Sequence, residues 1–231
     1  MPTAAKRQYV NFAFYKVDSA WRRLPKEERE ASKKEFGAAV EEWRQPMLLI
    51  PYSTVGLRAE TDFMLWRISD SLELFQGMSR QLNGTSLGAY LTTPYSFIAM
   101  TKRSIYVDKH IHPGQEGRRA QIIPGEYRYL FVYPFLKTRD WFLLPIERRQ
   151  EMMNVHIEVG HKFPSVKLNT TYSFGLDDQE FVVAFESDQP ADFVDLVMAL
   201  RETEGSRFTL RDTPILTCIR KPIQEALDDL G

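Results

Sequence analysis

Trp21-Arg22-Arg23-Leu24-Pro25-Lys26-Glu27-Glu28-Arg29 returns 120 residues later as Trp141-Phe142-Leu143-Leu144-Pro145-Ile146-Glu147-Arg148-Arg149, with Trp, Leu, Pro, Glu and Arg in register. Beyond it, Gly56-Leu57 returns as Gly175-Leu176, Ser69-Asp70 as Ser187-Asp188, Phe75 as Phe193 and Leu82 as Leu200, at offsets of 118 to 119. A period this long marks one domain duplicated and fused, not a solenoid of short units. In a chain of 231 residues it implies two domains of roughly 110 residues. The copies differ at chemically telling places: Tyr133, Lys137 and His156 fall opposite Ala13, Val17 and Phe36. The second copy is therefore where a site is expected.

Each copy reads strand, helix, strand, strand, helix, strand. In the first, aromatic and β-branched residues predict a strand over 9–15. Pro25 opens a helix, and Glu27 and Glu28 suit its positive end. Strands near 47–55 and 61–68, a helix over 71–82 and a strand near 95–101 follow. The second copy runs as a strand over 127–135, a helix from Pro145 to about 161, strands near 166–173 and 180–186, a helix over 190–202 and a strand near 215–220; a short helix over 223–230 ends the chain. This order predicts an α+β fold of duplicated ferredoxin-like units. Strands such as Tyr129-Leu130-Phe131-Val132-Tyr133 are apolar at consecutive positions, so both faces need cover. Two such sheets packed face to face make an α+β barrel with helices outside. The expected partition is 1–108, a connector over 109–126 holding His110, His112, Arg118 and Arg119, and 127–231.

Composition narrows the function. Thirty Lys and Arg balance thirty-one Asp and Glu for a net charge of −1, which offers no broad basic field for nucleic acid and no polybasic membrane anchor. No segment approaches a transmembrane span, and the N-terminal residues lack the apolar stretch of a signal peptide. Cys218, the single cysteine, excludes an intrachain disulfide and reads as a small buried residue in a strand; a cytoplasmic setting is expected. Neither a glycine-rich phosphate loop nor a nucleophile elbow is present.

His156 shares a helical stripe with Met152, Val159 and Phe163, so it points inward, either as a hydrogen-bonded core histidine or as a metal ligand. Gly160, one turn on, leaves room for a flat ring against the helix. Tyr133 ends an apolar strand, Lys137 follows in a turn and Trp141 precedes the helix of His156. Tyr and Trp pack barrels well, and Trp21 stands at the place of Trp141 without any chemistry to do. Tyr133 and Lys137 have no such counterparts. The alternating pair His110 and His112 suits a divalent ion, but no carboxylate pattern accompanies it.

These residues resemble the chlorite-dismutase-like haem proteins, and within them the coproheme decarboxylases. The likeness spans nearly the whole chain. It is carried by Val132-Tyr133-Pro134-Phe135 through Lys137 and Trp141, Leu144-Pro145 through Arg149, Met152-Met153-Asn154-Val155-His156, Phe174-Gly175-Leu176-Asp177-Asp178-Gln179-Glu180-Phe181 and Arg211-Asp212-Thr213-Pro214. The resemblance implies that His156 ligates the iron of a porphyrin and that Glu204 is its hydrogen-bond partner, lending the ring imidazolate character. It makes Tyr133 the redox-active tyrosine beside a propionate and Lys137 a propionate-binding cation. Trp141 lines the cofactor site, and Arg201, Ser206 and Arg119 hold the remaining propionates. Four carboxylates on coproheme require such partners. The implied reaction is peroxide-dependent oxidative decarboxylation of iron coproporphyrin III to haem b, in a homo-oligomer, most often a pentamer.

Departures from the family sharpen the expectation. Chlorite dismutases proper place a distal arginine downstream of the proximal histidine, where this chain reads Lys167-Leu168-Asn169, and they lack the tyrosine found here as Tyr133. A distal glutamine used by some decarboxylases is also missing from that stretch. His110 is the first candidate for distal base and His112 the second. The alternatives are a chlorite dismutase-like haem peroxidase and a non-enzymatic haem carrier or sensor; only an enzyme of the decarboxylase kind has use for a redox tyrosine at the propionate.

Overall fold

The computed structural model of the chain describes residues 7–106 and 121–231. In chain order its elements are β1 (Tyr9–Val17), α1 (Lys26–Glu42), β2 (Leu48–Ser53), β3 (Phe63–Ser69), α2 (Leu72–Asn83) and β4 (Leu91–Met100). Then come β5 (Tyr129–Lys137), α3 (Arg139–Leu143), α4 (Ile146–Gly160), β6 (Val166–Tyr172), β7 (Phe181–Ser187), α5 (Pro190–Arg201), β8 (Thr209–Arg211), β9 (Leu216–Arg220) and α6 (Ile223–Asp228). The fold is α+β, with antiparallel sheet and flanking helices, and none of the described helices is long and apolar enough to cross a membrane.

Two compact units divide the chain. The first gathers Gln8–Met100 with Leu216–Gly231, and the second holds Thr101–Ile215 with the residues before Gln8. This differs from a partition into 1–108 and 127–231. β9 pairs with β2, Tyr52 opposite Arg220 and Ser53 opposite Ile219, and α6 packs its Ile223 and Leu227 into the core beneath α1. Tertiary packing of an apolar helix face, not sequence adjacency, sets the membership of these last residues.

In the first unit the strands run β4–β1–β3–β2–β9 and every pairing is antiparallel. Val10 to Tyr15 are all buried, so both faces of β1 are covered, as a run apolar but for Asn11 requires, and Asn11 accepts from the buried Arg67 guanidinium. Ala13, Tyr15 and Val17 join Trp21, Phe36, Val40, Phe63, Phe75 and Leu227 in one core. In the second unit β6–β7–β5–β8 form an antiparallel sheet, with Tyr133 opposite Val183 and Lys137 opposite Thr209. Phe131, Tyr133, Val183 and Phe185 meet Phe193 and Leu196 of α5 on one face.

The recurrences in sequence correspond to recurrent local structure. Gly56 and Gly175 adopt φ of 77° and 73°, a left-handed conformation that side chains disfavour, in turns closed by Leu57 N–H to Thr54 O and Leu176 N–H to Ser173 O. Ser69 and Ser187 accept the N–H two residues on, before α2 and α5. Pro25 and Pro145 stand just before α1 and α4, and their carbonyls accept the N–H of Arg29 and Arg149 at 3.1 Å. Two short elements had no signal strong enough to anticipate: α3 and the three-residue β8.

Candidate functional site

The end of β5 delivers Tyr133 and Lys137 to one region of the second unit. Strand alternation puts Phe131, Tyr133 and Phe135 on the helix-facing side, where the Tyr133 ring stacks on Phe185 with centroids 6.0 Å apart. Burial pushes the Tyr133 phenol well above its ordinary pKa; the charge of Asp212 adds to the rise and that of Arg201 opposes it. The phenol thus stays protonated across the neutral range.

Lys137 is held at several points. Its backbone N–H donates to Glu180 Oε2 at 2.7 Å, and its ammonium donates to the carbonyl of Gly205 at 2.8 Å. The same ammonium lies 4.4 Å from the centroid of Trp141 and 5.4 Å from that of Phe135, a cation–π arrangement on two rings. Burial lowers its pKa to about 8, with Glu180 pulling the other way. At neutral pH it is a cation that gives up its proton readily. Trp141 is buried, its ring against Phe208 and Tyr106 as well as Lys137, so it forms the wall on which the lysine rests.

α4 supplies His156. One turn earlier, Met152 is buried against Gly205, where an added Cβ would sit 3.9 Å from the Met152 Cβ. Gly205 therefore joins the helix of His156 to the ammonium of Lys137. His156 is half-buried, and loss of solvation, followed by the Lys137 charge, holds its pKa down to about 4. The imidazole is neutral at physiological pH, the form that ligates metals. At Gly160 an added Cβ would meet nothing within 4 Å, so the stripe that carries His156 has open space beside it. Among the described residues no three His, Cys, Asp or Glu side chains gather to hold a bare ion.

Three residues at and just after the end of α5 have protein partners of their own. Glu204 is exposed, and both its oxygens accept from Arg148, at 2.7 and 2.8 Å. No hydrogen bond joins it to His156 among the described residues. A charge-assisted contact to a guanidinium two turns before His156 on α4 outcompetes a neutral imidazole. Arg201 is exposed and pairs with Asp212 at 2.9 Å, not with an apolar cleft. The Ser206 hydroxyl lies 2.7 Å from the carbonyls of Arg201 and Thr203, which closes the turn after α5. His110, His112 and Arg119 lie outside the described residues. The site residues that sequence reasoning missed are Asp212, Glu180 and Arg148. Asp212 and Glu180 stood inside motifs already noted, and only the strand pairing of β5 with β7 and β8 brings them beside Lys137 and Tyr133.

With that geometry described, three comparisons are informative. The model of the chlorite dismutase family matches residues 29–221. Coproheme decarboxylase of Mycolicibacterium smegmatis is 32% identical over 180 residues, covering 78% of this chain and 75% of that protein. A mutant of chlorite dismutase from Candidatus Nitrospira defluvii superposes with a TM-score of 0.87 at 29% identity, covering 97% of this chain and 95% of that one. The chlorite dismutase of the same organism in complex with imidazole gives 0.85 at 30% identity, over 96% and 94%.

Proposed function

The chain belongs to the chlorite dismutase family, and from that premise we propose that it decarboxylates iron coproporphyrin III to haem b with hydrogen peroxide as oxidant. The observation that carries this reading is the joining of a protonated buried tyrosine, a lysine of lowered pKa and a neutral histidine in one unit, where the other copy has Ala13, Val17 and Phe36. The relative named coproheme decarboxylase supports the choice of substrate. The duplicated ferredoxin-like barrel, a pentameric assembly and a cytoplasmic setting belong to the same proposal, by family resemblance.

The residues fit an iron porphyrin. His156 offers a nitrogen lone pair beside open space at Gly160, and Lys137 and Arg201 offer donors for carboxylates, while the Ser206 hydroxyl is taken up by the Arg201 and Thr203 carbonyls. The bound iron, oxidised by peroxide, supplies the power to remove single electrons. Each cycle is balanced as one propionate, one proton and one hydrogen peroxide going to one vinyl group, carbon dioxide and two waters. Tyr133 would enter as a phenol, give an electron and its proton, and as a neutral radical take a hydrogen atom from the carbon β to the porphyrin-borne carboxylate. The bond to that carboxylate then breaks, carbon dioxide leaves, the vinyl double bond forms, and the second electron goes to the remaining peroxide-derived oxidising equivalent. Lys137, with a pKa of about 8, holds the carboxylate as a cation and is able to pass a proton. The burial of Tyr133 among Phe131, Val183 and Phe185 keeps water from quenching the radical.

Chlorite is the weaker reading. The stretch 166–171 has no arginine, and Lys167 donates to the Ile123 carbonyl and lies 3.6 Å from Glu186. The deciding experiment mixes the purified porphyrin-free chain with iron coproporphyrin III, adds hydrogen peroxide and follows porphyrin mass. Stepwise loss of two carboxylates supports the proposal. An unchanged mass with peroxide consumed points to a peroxidase, and an unchanged mass with peroxide left over points to a carrier.

A further inference from the structure

We infer that Asp212 is a specificity-determining carboxylate that competes with the porphyrin's own carboxylates for Arg201, so that loading the site is an exchange of one carboxylate for another. The inference rests on the porphyrin reading above. Its geometric basis is an ion pair fixed from both sides. Arg201 is the last residue of α5, and its carbonyl is tied by the Ser206 hydroxyl at 2.7 Å. Asp212 follows β8, which is paired to β5 through Leu136 with Arg211 and Lys137 with Thr209. Neither partner is carried on a loose loop, and their side chains meet at 2.9 Å.

The pair is asymmetric in solvent. The Arg201 side chain is 59% exposed and that of Asp212 only 25%. The guanidinium is thus open to an arriving ligand while the carboxylate is backed by protein. An ion pair this exposed contributes little, so a ligand carboxylate is able to displace it. A guanidinium carries five donors in a fork, and the Nη2 contact to Asp212 leaves others for a second carboxylate. The negative charge of Asp212 then opposes that second carboxylate at close range. Both charges also act on the Tyr133 phenol, with opposite signs, which places the exchange beside the residue assigned the radical. Asp212 keeps the resting site near neutrality and moderates affinity for a substrate that must turn or rebind between two decarboxylations.

The test is an equilibrium titration of the full chain with iron coproporphyrin III, followed by porphyrin absorbance. It compares wild type, Asp212→Asn, Arg201→Gln and the double variant, with Asp212→Ser as a second way of removing the charge. Asp212→Asn and Asp212→Ser are expected to tighten binding roughly threefold to fivefold, the upper end of the scale of an exposed ion pair. In the Arg201→Gln background the same change is expected to alter binding by less than about twofold, because the competition is gone. Unchanged or weaker binding without the carboxylate overturns the inference. So does equal tightening in the absence of Arg201, which would make Asp212 a diffuse charge only. If wild type shows no saturable binding of iron coproporphyrin III, the porphyrin reading itself fails and takes this inference with it.

Discussion

The inward faces of α1 and α4, which the sequence repeat sets opposite one another, do opposite things. On α1, Phe36, Ala39 and Val40 are buried in one core with Ile223 and Leu227 of α6 and with Leu230 just after it. Gly37 lets α6 approach: an added Cβ would stand 3.2 Å from the Gln224 side chain. Lys33, itself buried, bridges Glu30 and Asp228 at 2.8 and 3.1 Å and locks the cover in place. On α4 only Met152 is fully buried, and the stripe of His156 keeps open space at Gly160. One copy uses its helix face for packing; the other withholds packing and puts titratable groups there. The difference teaches that a helix face filled by a neighbouring helix has no room for a ligand, whereas the α4 face is left open at Gly160.

The largest expected effect separates the two faces by stability. Phe36→Ala should cost about 3–5 kcal/mol, because a fully buried aromatic leaves a cavity beside Phe63. His156→Ala should cost less than about 1.5 kcal/mol, since its surroundings are already loosely filled. Urea unfolding of the two variants checks this. Equal losses would mean that the two faces are packed alike.

Acid sharpens the same contrast. A histidine whose folded pKa is about 4, against an ordinary 6.5, binds fewer protons in the folded state between those values. Its penalty is absent above pH 6.5, grows as pH falls and is complete below pH 4. Wild type should therefore lose on the order of 2 kcal/mol more than His156→Gln between pH 6.5 and 4. Parallel stability curves for the two proteins would contradict a neutral, desolvated His156.

Smaller effects test the individual partners. Lys137→Met removes the second cause of the low His156 pKa and should raise it by less than about one unit, readable from imidazole resonances in an NMR titration. Glu204→Gln should leave that pKa in place and barely move the urea midpoint, because its carboxylate serves the exposed, solvent-screened Arg148 pair. A shift of the His156 titration on losing Glu204 would restore the carboxylate–histidine pairing expected from sequence.

Much of this contrast was legible in the chain itself. Offsets of 118 to 120 revealed the copies, and glycines with positive φ at Gly56 and Gly175 explain why that pair of positions resisted change. The placement of Tyr133, Lys137 and His156 opposite apolar residues singled out the second copy. Side-chain pairing was not legible. Whether Glu204 meets His156 or Arg148, and whether Arg201 is free or held by Asp212, depends on which long side chains converge after the helices are docked. The docking of α6 was hidden for the same reason, since residues 216–231 follow the second copy in sequence and pack with the first in space.

The proposed role of Tyr133 is to relay oxidation to a propionate. Tyr133→Phe tests it most directly, because the ring volume against Phe185 is kept and only the phenolic O–H is lost. The measurement is porphyrin mass after hydrogen peroxide is added to the variant loaded with iron coproporphyrin III, beside its binding curve and melting temperature. The account predicts near-wild-type binding and melting with no haem b formed. Normal conversion to haem b by Tyr133→Phe would contradict it and reduce Tyr133 to a packing residue of β5.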